Sequence, residues 1–242
     1  DVWYTFRLPV PHAVYLSTAG GATWDTVINV RSGSCTGPLV SSYGCADDAC
    51  SGLQSQFVGI LPAATYYVAV DGYGATNAGP FTLYYQVSAC VAAADAIPTT
   101  PTVIDPIRAT TASVSGSTVG QGNDSTGMCA LGAAQIAPDV YYYLGLCPSR
   151  TAAMNTCAAG GATDFNTVLY ARYGACGSSG SGEAACNNDD ATCTGWPPGM
   201  LGSRIGFGST GQGLYYVWVD GYVESMPLLP SEGRYTMSVS GM

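Results

Sequence analysis

The sequence contains no lysine, and its seven basic residues are all arginine. Schiff-base chemistry and lysine–asparagine isopeptide crosslinks are therefore excluded within the chain. Histidine occurs once, as His12 beside Pro11, where it reads as a surface residue near a turn. A Ser-His-Asp or Cys-His site needs a positioned base, and one histidine does not supply a repeated one. Glutamate is confined to Glu183, Glu224 and Glu232, which argues against a glycosidase pair. Charged residues make up only 10% of the chain, the net charge is −9, and no basic cluster exists to meet a phosphate backbone. Apolar runs stay well short of the roughly 18–20 residues of a membrane span. No Gly-x-Ser-x-Gly elbow, P-loop or His-Glu-x-x-His motif is present. The sequence begins at Asp1 without an export signal, which on this reading was removed or lies outside the segment. These absences point away from an enzyme, a nucleic-acid binder and a membrane-spanning protein.

What is abundant is strand and turn material: 32 glycines, 17 tyrosines and a 47% share of hydrophobic residues. Ten cysteines at long, irregular spacings, with a single histidine, read as disulfides of an oxidising compartment rather than as zinc ligands.

The chain repeats itself. Asp1-Val2-Trp3-Tyr4 matches Asp139-Val140-Tyr141-Tyr142. Gly20 to Ile28 matches Gly160 to Leu169, with Asp164 inserted, and Arg31 matches Arg172. Cys35 and Cys45 match Cys176 and Cys186, ten residues apart in both copies. Ala46-Asp47-Asp48-Ala49-Cys50 matches Asn188-Asp189-Asp190-Ala191-Thr192-Cys193, and Tyr66 to Tyr73 matches Tyr215 to Tyr222. The copies close on Phe81-Thr82-Leu83-Tyr84 and Tyr235-Thr236-Met237-Ser238.

Within each copy, Val2–Arg7, Thr26–Arg31, Thr65–Val70 and the final Tyr-Thr-Met-Ser-Val run have strand patterning, and the Asp-Gly pairs at 71–72 and 220–221 are turn signals. Short strands with glycine-rich turns and no helical periodicity predict an all-β chain of two tandem, jelly-roll-like antiparallel β-sandwich domains. The expected divisions are 1–90 for the first sandwich, 91–108 for a Pro/Thr-rich linker and 109–242 for the second. The linker admits two readings, a stiff spacer or an added strand.

At Asp-Val-Trp-Tyr-Thr-Phe, at Tyr-Tyr-Val-x-Val-Asp-Gly-Tyr and at the closing Phe/Tyr-Thr strand, the sequence resembles the bacterial pre-peptidase C-terminal domain. Its cysteine-bearing tandem form resembles repeats of large myxobacterial surface proteins. The resemblance implies a jelly-roll-like sandwich attached to exported proteins, and members that bind calcium, assist substrate binding or act as spacers.

The copies differ in one respect. Arg108 to Gly116 reads as a first strand of the second copy, and the first copy has no such segment. The first sandwich therefore lacks its opening strand, to be supplied by upstream residues or by another chain. The expected disulfides are Cys35–Cys45, Cys176–Cys186, Cys147–Cys157, Cys129–Cys193 and, by default, Cys50–Cys90, with an intermolecular bond as the alternative for Cys50.

Acidic and amide residues recur in the loops: Asp25, Asp47, Asp48 and Asp71, then Asp164, Asn166, Asn188, Asp189, Asp190 and Asp220. Hard oxygen donors at one end of a sandwich suit Ca²⁺. The same residues also suit turns, and Arg31 and Arg172 are potential partners for the carboxylates. Trp24, Tyr73, Trp196 and Tyr222 are candidates for a glycan-stacking platform. Together these features predict a structural repeat module of a secreted or cell-surface protein. It would associate with itself, as in a filament built by strand complementation, or with neighbouring domains of a longer chain. The alternative is a carbohydrate- or substrate-binding accessory module of a secreted hydrolase.

Overall fold

The computed structural model describes residues 1–41, 43–50, 52–88, 103–104, 111–130, 136–157, 162–174, 182–193, 202–208, 211–223 and 231–241. Two compact units result. Unit 1 comprises Asp1–Val91 with Cys147–Ser149 and Thr210–Leu214, and unit 2 comprises Ala92–Leu146, Arg150–Ser209 and Tyr215–Met242. Division by sequence order alone misses the two short segments that join unit 1.

Unit 1 is built from β1 (Val2–Leu8), β2 (His12–Ser17), β3 (Thr26–Ser32), β4 (Cys45–Asp47), β5 (Gln56–Leu61), β6 (Ala64–Gly72) and β7 (Tyr84–Val87). One sheet has the order β1-β6-β3-β4 and the other β5-β2-β7. Period-2 patterning aims Ile28 and Val30 of β3, and Tyr66, Val68 and Val70 of β6, at Val14 and Leu16 of β2 and Phe57 of β5, forming one apolar core between the sheets.

Unit 2 contains β8 (Val103–Ile104), β9 (Thr111–Ser117), β10 (Val140–Leu146), β11 (Thr151–Asn155), β12 (Ala162–Thr163), β13 (Thr167–Tyr173), β14 (Glu183–Asn187), β15 (Arg204–Gly208), β16 (Gly213–Gly221) and β17 (Arg234–Ser240). Its sheets run β8-β10-β16-β13-β14 and β12-β17-β11-β15, with β9 paired to β17. The strand order β1-β6-β3-β4 thus reappears as β10-β16-β13-β14. Register agrees as well: Val27 faces Asp71 and Arg31 faces Tyr67, as Val168 faces Asp220 and Arg172 faces Tyr216.

The expected first strand of the second copy is β9, antiparallel to β17 from Ser240↔Thr111 to Arg234↔Ser117. Most of the expected linker lies outside the described residues. Val103–Ile104 are not spacer, because they pair in parallel with Tyr143 and Leu144. The Asp-Gly pairs close strands β6 and β16 rather than forming the turns. A Cβ at Gly72 would clash with the Asn77 carbonyl oxygen, and one at Gly221 with that of Ser231. The returning chain occupies the space a side chain would need.

The disulfides depart from the sequence expectation. Cys50 bonds Cys147 rather than Cys90, Cys129 bonds Cys186 rather than Cys193, and Cys157 bonds Cys193 rather than Cys147. Cys186 is accordingly not joined to Cys176, and Cys35 and Cys45 are exposed free thiols rather than a pair. Cys90 and Cys176 lie outside the described residues. Fold geometry explains the difference, since a disulfide needs Cα atoms about 4.4–6.8 Å apart and chain proximity does not ensure this. Cys50 and Cys147 are 97 residues apart in sequence and 5.5 Å apart at Cα.

A buried hydroxyl cluster joins the two sheets in each unit. In unit 1, Thr18 and Thr26 share a hydrogen bond of 2.6 Å, the Ser55 N–H donates to both hydroxyls, and the Ser55 hydroxyl donates to the Thr26 carbonyl. Thr156, Thr167 and Ser203 repeat the arrangement in unit 2, at 2.8 Å between the threonine hydroxyls. All six residues are buried, so each hydroxyl satisfies a group that water cannot reach. Thr167→Val keeps the shape and removes the hydroxyl. It should cost about 1–3 kcal/mol in urea unfolding of unit 2, whereas Thr23→Val, at an exposed site, should leave the midpoint unchanged.

Candidate functional site

Of the ten residues expected to ligate a metal, the structure brings three together. Oxygens of Asp25, Asp47 and Asp48 all lie within 4.8 Å of one another. Asp25 precedes β3 and Asp47 closes β4, so the β3–β4 pairing at Val27↔Asp47 sets their approach. Asp48 adopts a left-handed φ of 49° immediately after the strand. Asp25 Oδ1 is buried without a hydrogen-bond partner among the described residues. Desolvation and the neighbouring carboxylates of Asp48 and Asp25 push the Asp47 carboxyl above its ordinary value. Asp71 lies one strand further, across Val27, and its Oδ1 accepts the Gly72 N–H.

The corresponding residues of unit 2 are occupied differently. Asp164 is exposed and accepts the Arg234 N–H at 2.6 Å. Asp190 accepts both the N–H and the hydroxyl of Thr192, which hold its carboxyl below the ordinary value, and it meets Arg204 at 3.4 Å. The Asn188 carbonyl accepts the Ser203 hydroxyl, and Asp189 is exposed. Asn166 and Asp220 are buried at 1% exposure. The expected unit 2 calcium set is therefore not gathered among the described residues.

Asp220 instead belongs to a buried polar layer on the outer face of β10-β16-β13. The segment 122–130 is tied to this face at several points. Asp139 Oδ2 accepts the N–H groups of Asp124 and Ser125 at 2.9 and 2.8 Å. Arg172, fully buried, donates to the Ser125 hydroxyl and the Thr126 carbonyl at 2.5 and 2.6 Å. Its guanidinium lies 4.8 Å from the Tyr170 ring and 5.2 Å from that of Trp218. It also meets Glu183 at 3.5 Å, and its charge favours the ionised forms of Asp139 and of Asp220, an aspartate of the expected set. The Glu183 carboxylate also accepts the Met128 N–H, and the Cys129–Cys186 bond holds the segment covalently. Burial leads the rise of the Asp139 carboxyl to about 7 and of the Asp220 carboxyl to about 9.

The same face of unit 1 is more open among the described residues: Trp3, Thr5 and Arg7 of β1 and Asp71 of β6 are exposed, although Ala69 is buried. Trp3 is 42% exposed against 4% for its counterpart Tyr141. On the inner face Val2 and Tyr4 are 46% and 43% exposed, whereas their counterparts Val140 and Tyr142 lie in the core at 5% and 4%. The second sheet differs in parallel. β17 is flanked by β9, and the outer edge of β7 has no strand partner among the described residues. A groove of about 290 Å³ opens beside it, lined by Tyr4, Phe6, Leu16, Val68, Leu83 and Tyr85. Repeat comparison in the sequence revealed the missing strand. The uncovered outer face was legible only as the absence of any counterpart to residues 118–130.

Of the residues expected to form a stacking platform, Trp24 donates its indole N–H to the Pro80 carbonyl and packs edge-on against Phe81. Tyr73 is 69% exposed, Tyr222 is half-buried, and Trp196 lies outside the described residues. His12 opens β2 and is half-buried, with Nδ1 3.3 Å from the Ser88 hydroxyl, rather than free on a turn.

Asp139 and Asp220 have folded pKa values above the roughly 3.9 of an unfolded aspartate. Their contribution to stability is complete below that value and is lost as pH rises through about 7 and about 9. Between pH 5 and 9 the melting temperature of unit 2 should fall, at up to roughly 1.4 kcal/mol per pH unit for one titrating carboxyl. Calorimetry across that range should give a flatter profile for Asp220→Asn.

No family model matches the sequence, and no curated protein matches it. Among solved structures, the chain is similar to the pre-peptidase C-terminal domain of a collagenase from Bacillus anthracis. Identity is 12%, over 60% of this chain and 97% of that one, with a TM-score of 0.32. It is also similar to an M60 catalytic domain with two CBM51 domains from Clostridium perfringens. There, identity is 7% over 99% of this chain, the TM-score is 0.25, and the chain spans 33% of the length of that protein.

Proposed function

We propose that the chain is a non-catalytic structural module of a secreted or cell-surface bacterial protein, a duplicated sandwich whose first unit accepts a β-strand from another polypeptide. The observation that carries this reading is the contrast between β17, paired along its outer edge by β9, and β7, whose outer edge has no strand partner among the described residues and borders an apolar groove. Unsatisfied strand edges recruit strands, and the recruited strand gains main-chain hydrogen bonds and side-chain pockets together. Three disulfides fit an oxidising location outside the cytoplasm. Repetition of this donation from subunit to subunit builds a filament. A glycan platform is the weaker reading, because the Trp24 indole is tied to its own loop. Self-association should appear as concentration-dependent oligomers in sedimentation and as linear assemblies in negative stain. Tyr85→Asp, which puts a charge in the groove, should shift the protein to monomer, and assembly unaffected by this change would count against strand acceptance.

The Asp25–Asp47–Asp48 cluster fits a Ca²⁺ ion. It offers three hard oxygens, Asp25 carries a buried oxygen without a hydrogen-bond partner among the described residues, and a cation would relieve the mutual repulsion of the carboxylates. Bound calcium would lock the β3–β4 loops and supply no chemistry. At 100 times its dissociation constant, the ion should add about 2.7 kcal/mol to unit 1. A melting temperature of unit 1 that rises with calcium in the wild type and stays constant in Asp47→Asn is the expected result.

A further inference from the structure

We infer that the strand accepted by unit 1 carries a cysteine downstream and is locked in place by a disulfide to Cys45. This rests on strand acceptance and specifies the chemistry of the donor, a segment patterned like residues 109–130.

The pattern for the donor is present within this molecule. On unit 2, β9 places Ala112 opposite Val239, Val114 opposite Met237 and Gly116 opposite Tyr235, and Ala112 and Val114 pack on the core. A Cβ on Gly116 would stand 2.5 Å from the Tyr235 hydroxyl and 2.9 Å from that of Tyr142, so only a glycine fits over that pair. The sequence counterparts of Val239, Met237 and Tyr235 are Tyr85, Leu83 and Phe81. Tyr85 and Leu83 line the open groove, and Phe81 meets Tyr4 edge-on at 6.5 Å between ring centres. Small and medium apolar side chains at alternate positions of an extended segment are what this groove accepts.

After β9 the chain of unit 2 crosses the outer face of the other sheet and reaches Cys129, about twelve residues beyond Ser117, where it bonds Cys186. Cys45 occupies the same place on unit 1. It faces Asn29 across β3 and β4 as Cys186 faces Tyr170 across β13 and β14. Asn29 in turn faces Ala69 as Tyr170 faces Trp218. Cys45 is exposed and unbonded. The groove, the open edge and the thiol therefore mark the start, the course and the end of one segment not found among the described residues. Arg31 takes no part, because its guanidinium donates to the Gly37 carbonyl of its own unit.

Closure is an oxidation. The Cys45 thiol and the donor thiol each lose one hydrogen, one S–S bond forms, and the two electrons and two protons pass to a disulfide oxidant that is cleaved to two thiols.

The probe is a synthetic peptide of residues 109–130 of this sequence, mixed with the whole protein in a buffer of reduced and oxidised glutathione. Non-reducing mass spectrometry and peptide mapping should show a one-to-one adduct at Cys45 with Cys35 unmodified. The peptide carrying Val114→Asp keeps the same cysteine and should react about tenfold more slowly, because docking rather than thiol exposure sets the local concentration. A peptide with Cys129→Ser should bind without a covalent bond. If that peptide binds and the cysteine peptide forms no adduct, strand acceptance stands and the disulfide is overturned. If neither binds, both are overturned. Equal labelling of Cys35 and Cys45, or equal rates for the Val114→Asp peptide, also overturns the inference. In protein from its natural source, Cys45 bonded to a cysteine downstream of such a strand supports it, and Cys45 bonded to Cys35, Cys90 or Cys176 overturns it.

Discussion

The structure turns on the need of a β-strand edge, and of the apolar row beneath it, to be covered. In unit 2 that need is met twice, by β9 along β17 and by the segment 122–130 across the outer face of β10, β16 and β13. The result is an interior in which Trp218, Tyr170, Arg172 and Tyr216 are all buried. In unit 1 the same strand order carries residues suited to a half-covered sheet: Ala69 where unit 2 has Trp218, and Asn29 where it has Tyr170. The difference between the units is thus a difference of covering layer more than of frame.

Charge follows from that covering. Asp139 and Asp220 are enclosed by it, so ionisation is costly and their carboxyls titrate far above the usual range. Asp71, the unit 1 counterpart of Asp220, is exposed, and the acidic loops of unit 1 instead gather three carboxylates at one point. One set of sequence positions therefore contributes to a polar staple in one unit and to an acidic cluster in the other. A ligand set transferred residue by residue between the copies fails for this reason.

Much of the frame was legible in the sequence. Period-2 patterning located β1, β3, β6 and β17, and comparison of the copies located β9 by its lack of a counterpart. The hydroxyl clusters around Ser55 and Ser203 were not legible, because isolated Thr and Ser residues far apart in sequence carry no local signal of shared burial. The disulfides were misread for a related reason. Equivalence of the cysteines suggested equivalent bonds, but Cys50 and Cys193 occupy equivalent positions and take Cys147 and Cys157, which have no counterpart in the first copy. Of the acidic residues, sequence identified the type and the loop, and only strand register decided which of them meet.

The bond between Cys50 and Cys147 also bears on mechanics. It closes a loop with a sequence separation of 97 that contains β5 to β10, six strands of the seventeen. When the chain is pulled from positions outside that loop, force crosses the sulfur atoms and bypasses everything between them. At about 3.4 Å per extended residue, that loop holds on the order of 330 Å of contour. Part of it stays closed while Cys129–Cys186 is intact, because Cys129 lies inside the loop and Cys186 outside it. Extension under load is consequently set by the redox state of both bonds, and the module behaves as a short tether in an oxidising medium and as a long one in a reducing medium.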